Sequence, residues 1–314
     1  RLFWWNEVKL MHKKHENYGD LLGKYLVEKI SKRQVVWVLP KRFSLWNYFE
    51  PIYVTIGSIL ANVNENCIVW GSGIISKEYT IKKAKFTAVR GPQTRKHLIN
   101  QGFDVPEIYG DPALLLPDFY FPKIEKKYKF GIVPHYNDYK LMSQFYEADK
   151  DILVIDLMTN DIEPVTDLFL QCEKIVSTSL HGLIVSHAYR IPAVWVQFSD
   201  KLFGDGIKFQ DYFESVKMET YIPNVNSGRI RIDEMLNLFD TYPSLPNEQV
   251  VNKIKEDFIH LFHFVGMFDA YHSLSKVVYD YSKPSNPYVF TKYIKKNTPY
   301  VNFENIWHPY LLEN

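Results

Sequence analysis

Two cysteines in 314 residues, Cys67 and Cys172, exclude a disulfide framework. They fall in no CxxC or CxxH spacing, so a cysteine zinc site is excluded as well. Two buried free thiols in a reducing compartment is the plain reading. No apolar run reaches the roughly 20 residues that a bilayer-spanning helix needs, and no signal peptide is visible. The chain begins at Arg1 rather than Met, as a trimmed or tagged chain does. Charge of one sign is missing too. Lys and Arg number 37 against 36 Asp and Glu, a net charge of +1. A general nucleic-acid binder needs a basic surface to displace counterions, so no nucleic-acid partner is expected. GxGxxG and the phosphate-binding P-loop are both absent, so neither a dinucleotide nor ATP is specified.

What is present is a soluble-type composition: 46% hydrophobic residues and 23% charged. Aromatics reach 16%. That fits a site for sugars or other flat-faced ligands, and equally an aromatic-rich core. The length suits two ordinary domains. Short apolar runs recur, each ending in Gly, Ser or a charged residue. In the first half they are Leu2–Trp5, Val35–Leu39, Tyr53–Gly57, Cys67–Trp70 and Phe86–Val89. Residues 117–129 are rich in Pro, Phe and Lys and read as a linker. The pattern then restarts at Phe130–Val133, Ile152–Asp156, Lys174–Val176 and Ala193–Val196. Helical segments lie between the strands, and continuous apolar strands alternating with helices describe parallel sheets covered on both faces. The expected fold is therefore α/β, with two Rossmann-like domains over residues 1–120 and 128–230. A helical extension and tail over 231–314 would pack back on the first domain. The aromatic stretch Tyr288–Tyr310 could instead meet a membrane or an acceptor.

Ligands of such sheets sit at the carboxyl ends of strands, so the polar residues that follow strands matter most. Ser177, Thr178, Ser179 and His181 stand at a strand-to-helix junction. Hydroxyls there can hold an anion at the helix N-terminus or merely cap the helix, and a neutral imidazole can act as general acid or base. Arg90, ending a strand, and Arg95, about a turn later, offer guanidinium forks for carboxylate or phosphate. Gly71-Ser72-Gly73 permits close backbone approach to a ligand. Asp20 and Asp111 could orient a hydroxyl, act as a base, or close turns. His260 and His263 lie a helical turn apart without a third ligand, so no metal site is expected.

Together these pieces resemble the polysaccharide pyruvyl transferase family. The resemblance rests on Asn17-Tyr18-Gly19-Asp20, Trp70-Gly71-Ser72-Gly73, Val89-Arg90-Gly91-Pro92-Gln93-Thr94-Arg95, Tyr109-Gly110-Asp111-Pro112-Ala113, Gly131-Ile132-Val133-Pro134-His135-Tyr136, Ser177-Thr178-Ser179-Leu180-His181-Gly182 with Ile191-Pro192, and Lys208-Phe209 with Asp211-Tyr212. It covers roughly residues 1–220, in members most similar to those of bacterial exopolysaccharide and capsule loci. It implies a fold similar to the two-Rossmann GT-B glycosyltransferases. It also implies transfer of a pyruvyl group from phosphoenolpyruvate onto two sugar hydroxyls, giving a cyclic ketal without a cofactor or metal. By this resemblance His181 is the general acid and Arg90 holds the donor. Ser177, Thr178, Ser179, Arg95, His135 and Lys208 fall on the donor side. Asn17, Asp20, Gly71, Ser72, Gly73 and Asp111 fall on the acceptor side or in the cleft. Many family members carry Arg-Leu-His where this chain has Ser179-Leu180-His181. Either Arg95, His135 or Lys208 then supplies the missing cation, or the donor is held differently; His135 is favoured because it ends a neighbouring strand. The acceptor implied is a sugar or lipid-linked oligosaccharide, met in the cytoplasm or at the inner membrane face. A glycosyltransferase using a nucleotide sugar, or a non-catalytic carbohydrate-binding protein, would share much of this pattern.

Overall fold

Residues 1–41, 50–199 and 204–266 are described in the computed structural model. The first half runs β1 (Leu2–Phe3), α1 (Glu7–Met11), β2 (Glu16–Asn17), α2 (Tyr18–Ser31), β3 (Ile52–Val54), β4 (Cys67–Trp70), β5 (Lys85–Ala88) and α3 (Pro92–Asn100). A 3₁₀ turn over Pro112–Leu115 leads into the short helix α4 (Leu116–Phe119). The second half runs β6 (Tyr128–Val133), α5 (Tyr139–Tyr146), β7 (Ile152–Val154), β8 (Met158–Thr159), α6 (Ile162–Leu170), β9 (Cys172–Ser177), α7 (Leu180–Ala188) and β10 (Ala193–Trp195). Three helices follow: α8 (Ile207–Ser215), α9 (Ile232–Thr241) and α10 (Glu248–Gly266).

Two four-stranded sheets result, ordered β1-β3-β4-β5 and β10-β9-β6-β7. Every neighbour in both pairs in parallel. This is the mixed α/β architecture with parallel sheets that the strand-helix alternation predicts. Isolated parallel bridges at Trp37 and Tyr109 extend the first sheet at both edges. The expected strand over Val35–Leu39 thus shrinks to one bridged residue. The linker expected over residues 117–129 is entered by α4 and ends as β6 begins. Each sheet has its own core. One gathers Phe3, Val54, Val69, Val89 and Leu98; the other gathers Phe130, Ile132, Val176, Val194 and Met235. Cys67 and Cys172 are both buried and unpaired.

Both sheets lie within one unit, Arg1–Ile259; a second unit runs from His260 to Asn314, of which the described part is the end of α10. Near its C-terminal edge the first unit packs Phe258 on Trp70, with ring centroids 5.3 Å apart and the indole N–H donating to the Phe258 carbonyl at 3.2 Å. The aromatic tail Tyr288–Tyr310 lies outside the described residues, as does the side chain of His263. Among the described residues no helix is long and apolar enough to cross a membrane.

Among the described residues, the contacts that join the sheets include these three. The first is an antiparallel pair between β2 and β8, which sequence reading missed because each strand has two residues. The second is helix on helix: the Tyr18 hydroxyl of α2 bonds Thr166 of α6 at 2.7 Å, and Tyr25 and Lys29 reach Glu163 at 2.6 and 3.1 Å. The third is a buried ion pair. Arg90 leaves the first sheet and donates from Nε to Asp211 of α8 at 3.0 Å, both side chains being at most 1% exposed. Asp211 also accepts from the backbone and hydroxyl of Thr94 at 2.9 and 2.6 Å. Gly91 is pressed against the Asp211 backbone so closely that a Cβ would collide with it.

Removing one partner of such a pair strands the other charge in the interior, at a cost of about 3–5 kcal/mol. Asp211→Ala should therefore lower the unfolding free energy by about that amount in urea titrations. A loss below about 1 kcal/mol, the range of exposed pairs, would show that the joint does not depend on this carboxylate.

Candidate functional site

Loops from the carboxyl ends of β3, β4, β5, β6 and β9 carry the polar residues, and α2 and α8 close over them. The site is organised around His181 in the first turn of α7. Ser179 caps this helix, its hydroxyl accepting from the Gly182 N–H at 3.5 Å. Ser177 is buried. Its hydroxyl donates to the Ser179 carbonyl at 2.9 Å and accepts from the Ser179 N–H at 3.0 Å, which fixes the turn. The Thr178 hydroxyl accepts from the His135 N–H at 2.6 Å and so ties the β6 and β9 loops together. The three hydroxyl residues thus build the junction that aims His181.

The imidazole lies on the start of α2. Asn17 caps that helix by accepting from the Gly19 N–H at 3.0 Å. Any Cβ on Gly19 would run into the His181 ring, so only glycine lets the ring reach this helix terminus. On its other edge His181 Nε2 faces Asp111 Oδ2 at 3.7 Å. Asp111 is buried, and its Oδ1 caps the 3₁₀ turn by accepting from the Ala113 N–H at 2.9 Å.

Three titratable groups sit around this core. Burial pushes the Asp20 carboxyl up to about 7, against the opposing pull of His181 and Lys208. Burial, then the Arg90 charge, pushes the Lys208 ammonium down to about 8, with Asp20 opposing. Burial, then Lys208 and Lys13, pushes the His135 imidazole down to about 4, so it is neutral at pH 7. The opposed shifts of Asp20 and Lys208 leave both groups able to exchange protons near neutrality, which is frequent at catalytic sites. Glu16 is also raised by burial; its carboxylate accepts from the Glu7 N–H at 2.8 Å, and both acids raise Asp20.

The structure brings His181, Asp111, Asp20, Lys208 and His135 together. Arg90 reaches the same cleft fully engaged: besides Asp211 it donates to Ser58 Oγ at 2.6 Å and to the Ile74 carbonyl at 2.7 Å. Arg95 points elsewhere, donating to the Val105 carbonyl at 3.0 Å and interacting with Tyr109. Gly71-Ser72-Gly73 shapes the floor. Gly71 has φ +97° and packs on Pro112, Ser72 donates to the Gly57 carbonyl at 2.7 Å, and Gly73 lies on the Arg90 guanidinium. Beyond Lys208 opens a cavity of about 850 Å³, lined among others by Trp195, Gln197, Gln210, Tyr221 and Ile222. Sequence reasoning missed this cavity, whose walls come from separate loops. It also missed Thr94, which it quoted without giving it a role, and Glu7 and Glu16, for which no local signal exists.

Two parallel sheets with a histidine, carboxyls and a lysine gathered near their strand ends form the kind of cleft in which α/β proteins bind ligands. The chain belongs to the polysaccharide pyruvyl transferase family, whose profile matches residues 17–200. It is 33% identical over 252 residues to uncharacterized protein L143 of Acanthamoeba polyphaga mimivirus, covering 77% of this chain and 86% of that protein. It is 25% identical over 234 residues to succinoglycan biosynthesis protein ExoV of Rhizobium meliloti (strain 1021), covering 71% and 68%. No solved structure matches the chain.

A raised Asp20 pKa makes stability depend on pH. Between its ordinary value, 3.8, and about 7 the native state holds a proton that the unfolded chain has lost. Its contribution is present at low pH and is lost as pH rises through that window. Asp20→Asn should remove this downward slope. Urea unfolding of both proteins at pH 5 and pH 7.5 tests it; an equal change with pH in the two would show that Asp20 titrates normally.

Proposed function

We propose that this protein transfers the pyruvyl group of phosphoenolpyruvate to two hydroxyls of a saccharide, forming a cyclic ketal and releasing phosphate. The reading rests on the family and on one observation: His181, Lys208 and Asp20 converge at the strand ends, where an anionic donor and a hydroxylic acceptor can meet. The sheet arrangement suits the two-Rossmann GT-B plan.

Each step needs a group that this chain carries. His181 gives a proton to the methylene carbon of the donor, and C2 becomes electrophilic. One acceptor hydroxyl adds to C2 and loses its proton to Asp20. The C2–O bond to phosphate breaks, with the electron pair leaving on phosphate. The second hydroxyl then closes the ring and returns a proton to His181, while the proton held by Asp20 leaves with phosphate. In sum, one proton enters at the methylene, two leave the hydroxyls, and phosphate departs. No metal or cofactor enters this scheme. Phosphate and carboxylate of the donor still need a cation. Ser179 stands where many family members carry arginine, Arg95 is turned to Val105, and His135 is neutral at pH 7. In our reading Lys208 holds the donor. Its ammonium is withdrawn beside Asp20, so a bound dianion would restore its full charge. Arg90 acts one step back, fixing α8 through Asp211 so that Lys208 points inward. The cavity beyond Lys208 gives the saccharide room, with Tyr221 and amide side chains that suit its apolar faces and hydroxyls.

Thermal denaturation with phosphoenolpyruvate tests the donor. A ligand at a hundred times its dissociation constant stabilises by about 2.7 kcal/mol. The wild type should show that shift. Lys208→Met should lose it, while His181→Ala should keep it and release no phosphate when acceptor is supplied. A shift with nucleotide sugars and none with phosphoenolpyruvate would move the protein to the glycosyltransferases.

A further inference from the structure

We propose that Asp111 is the positioning residue of His181, holding its Nε2–H and stabilising the imidazolium so that Nδ1 is the nitrogen that exchanges the proton. This rests on the reading of His181 as proton donor, but its first test does not.

The geometry is specific. Asp111 Oδ2 and His181 Nε2 are both buried, neither has a hydrogen-bond partner, and they face one another at 3.7 Å. A buried carboxylate oxygen and a buried ring nitrogen are each costly without a partner. Here each is the nearest remedy for the other. The separation is an ion-pair distance rather than a hydrogen bond, and such contacts often tighten only when substrate is bound. Asp111 is held from behind, since its Oδ1 caps the Pro112–Leu115 turn and cannot swing away without releasing the Ala113 N–H. The His181 side chain is 12% exposed while Nε2 is buried, so the exposed part of the ring lies away from Asp111. Nδ1 lies against Gly19 at the start of α2.

There is an electrostatic need for this carboxylate. His181 occupies the first turn of α7, where the helix dipole is positive and disfavours an imidazolium. Asp111 opposes that field. The other groups acting on the pair are Asp20 on α2, which interacts with His181, and the Tyr212 hydroxyl on α8, which neighbours Asp111 and is itself bonded to His187 Nδ1 at 2.9 Å. Lys208 enters through Asp20.

Ring-nitrogen NMR of the full chain, with His181→Gln to assign the signals, reads the pairing directly. In the wild type, neutral His181 should carry its proton on Nε2. A proton on Nδ1 would overturn the proposal without any variant. Asp111→Asn keeps the Oδ1 cap and removes the charge. In its spectrum the proton of neutral His181 should move to Nδ1, because the amide Nδ2 can then donate to Nε2. An unchanged tautomer would also overturn it. In turnover, the variant should lose kcat with little change in the phosphoenolpyruvate-induced thermal shift, whereas a merely structural role would weaken both. If the wild type showed no response to phosphoenolpyruvate at all, the pyruvyl transfer reading would fail, while the ring measurements would still decide the pairing.

Discussion

The buried bond between Arg90 and Asp211 sets the relation between the two sheets at the cleft. Arg90 leaves a strand of the first sheet, and Asp211 sits on the helix that follows the second. Arg90 has three partners, and Asp211 three donors from Arg90 and Thr94. A charge so deep is tolerated only when its hydrogen bonds are satisfied, which makes the arrangement hard to deform. One helical turn before Asp211 stands Lys208, so the same bond decides where the lysine ammonium goes. Glycines at 73 and 91 let the backbone come close enough for the bond to form.

Around this joint the protein places groups whose charged forms burial disfavours. Asp20, Lys208 and His135 are all shifted toward neutrality by desolvation first. Holding such groups away from water costs stability. His181 stands at the centre because three separate backbone features converge on it: the cap at Ser179, the bare Gly19 backbone and the Asp111 turn. None of these alone would fix the ring. In combination they leave the imidazole little freedom to rotate.

Much of the strand pattern was legible in the chain because apolar runs such as Cys67–Trp70 and Phe130–Val133 are bounded by turn residues. The pairing of β2 with β8 was not, since two-residue strands have no period to detect. The cluster of His181, Asp20 and Asp111 was partly legible, as each follows or precedes a regular element. The state of each group was not. A histidine at position 135 reads from sequence as a candidate cation, and its burial near Lys208 and Lys13 disfavours that charge further. Arg95 and Arg90 look alike as strand-end and helix arginines, yet one reaches the Val105 carbonyl and the other the cleft.

By itself, then, the sequence determined the parallel α/β class, the family and the set of polar residues at strand ends. These depend on local periodicity, on turn chemistry and on motif order, all properties of neighbours along the chain. Tertiary structure alone decided which of those residues meet, which charges survive and which atom of His181 faces Asp111. Those outcomes depend on desolvation and on distances between segments some 70 to 160 residues apart, as with His181 against Asp111 and Gly19. No local pattern encodes them, because the energy of a charge is set by whatever surrounds it once the chain has folded.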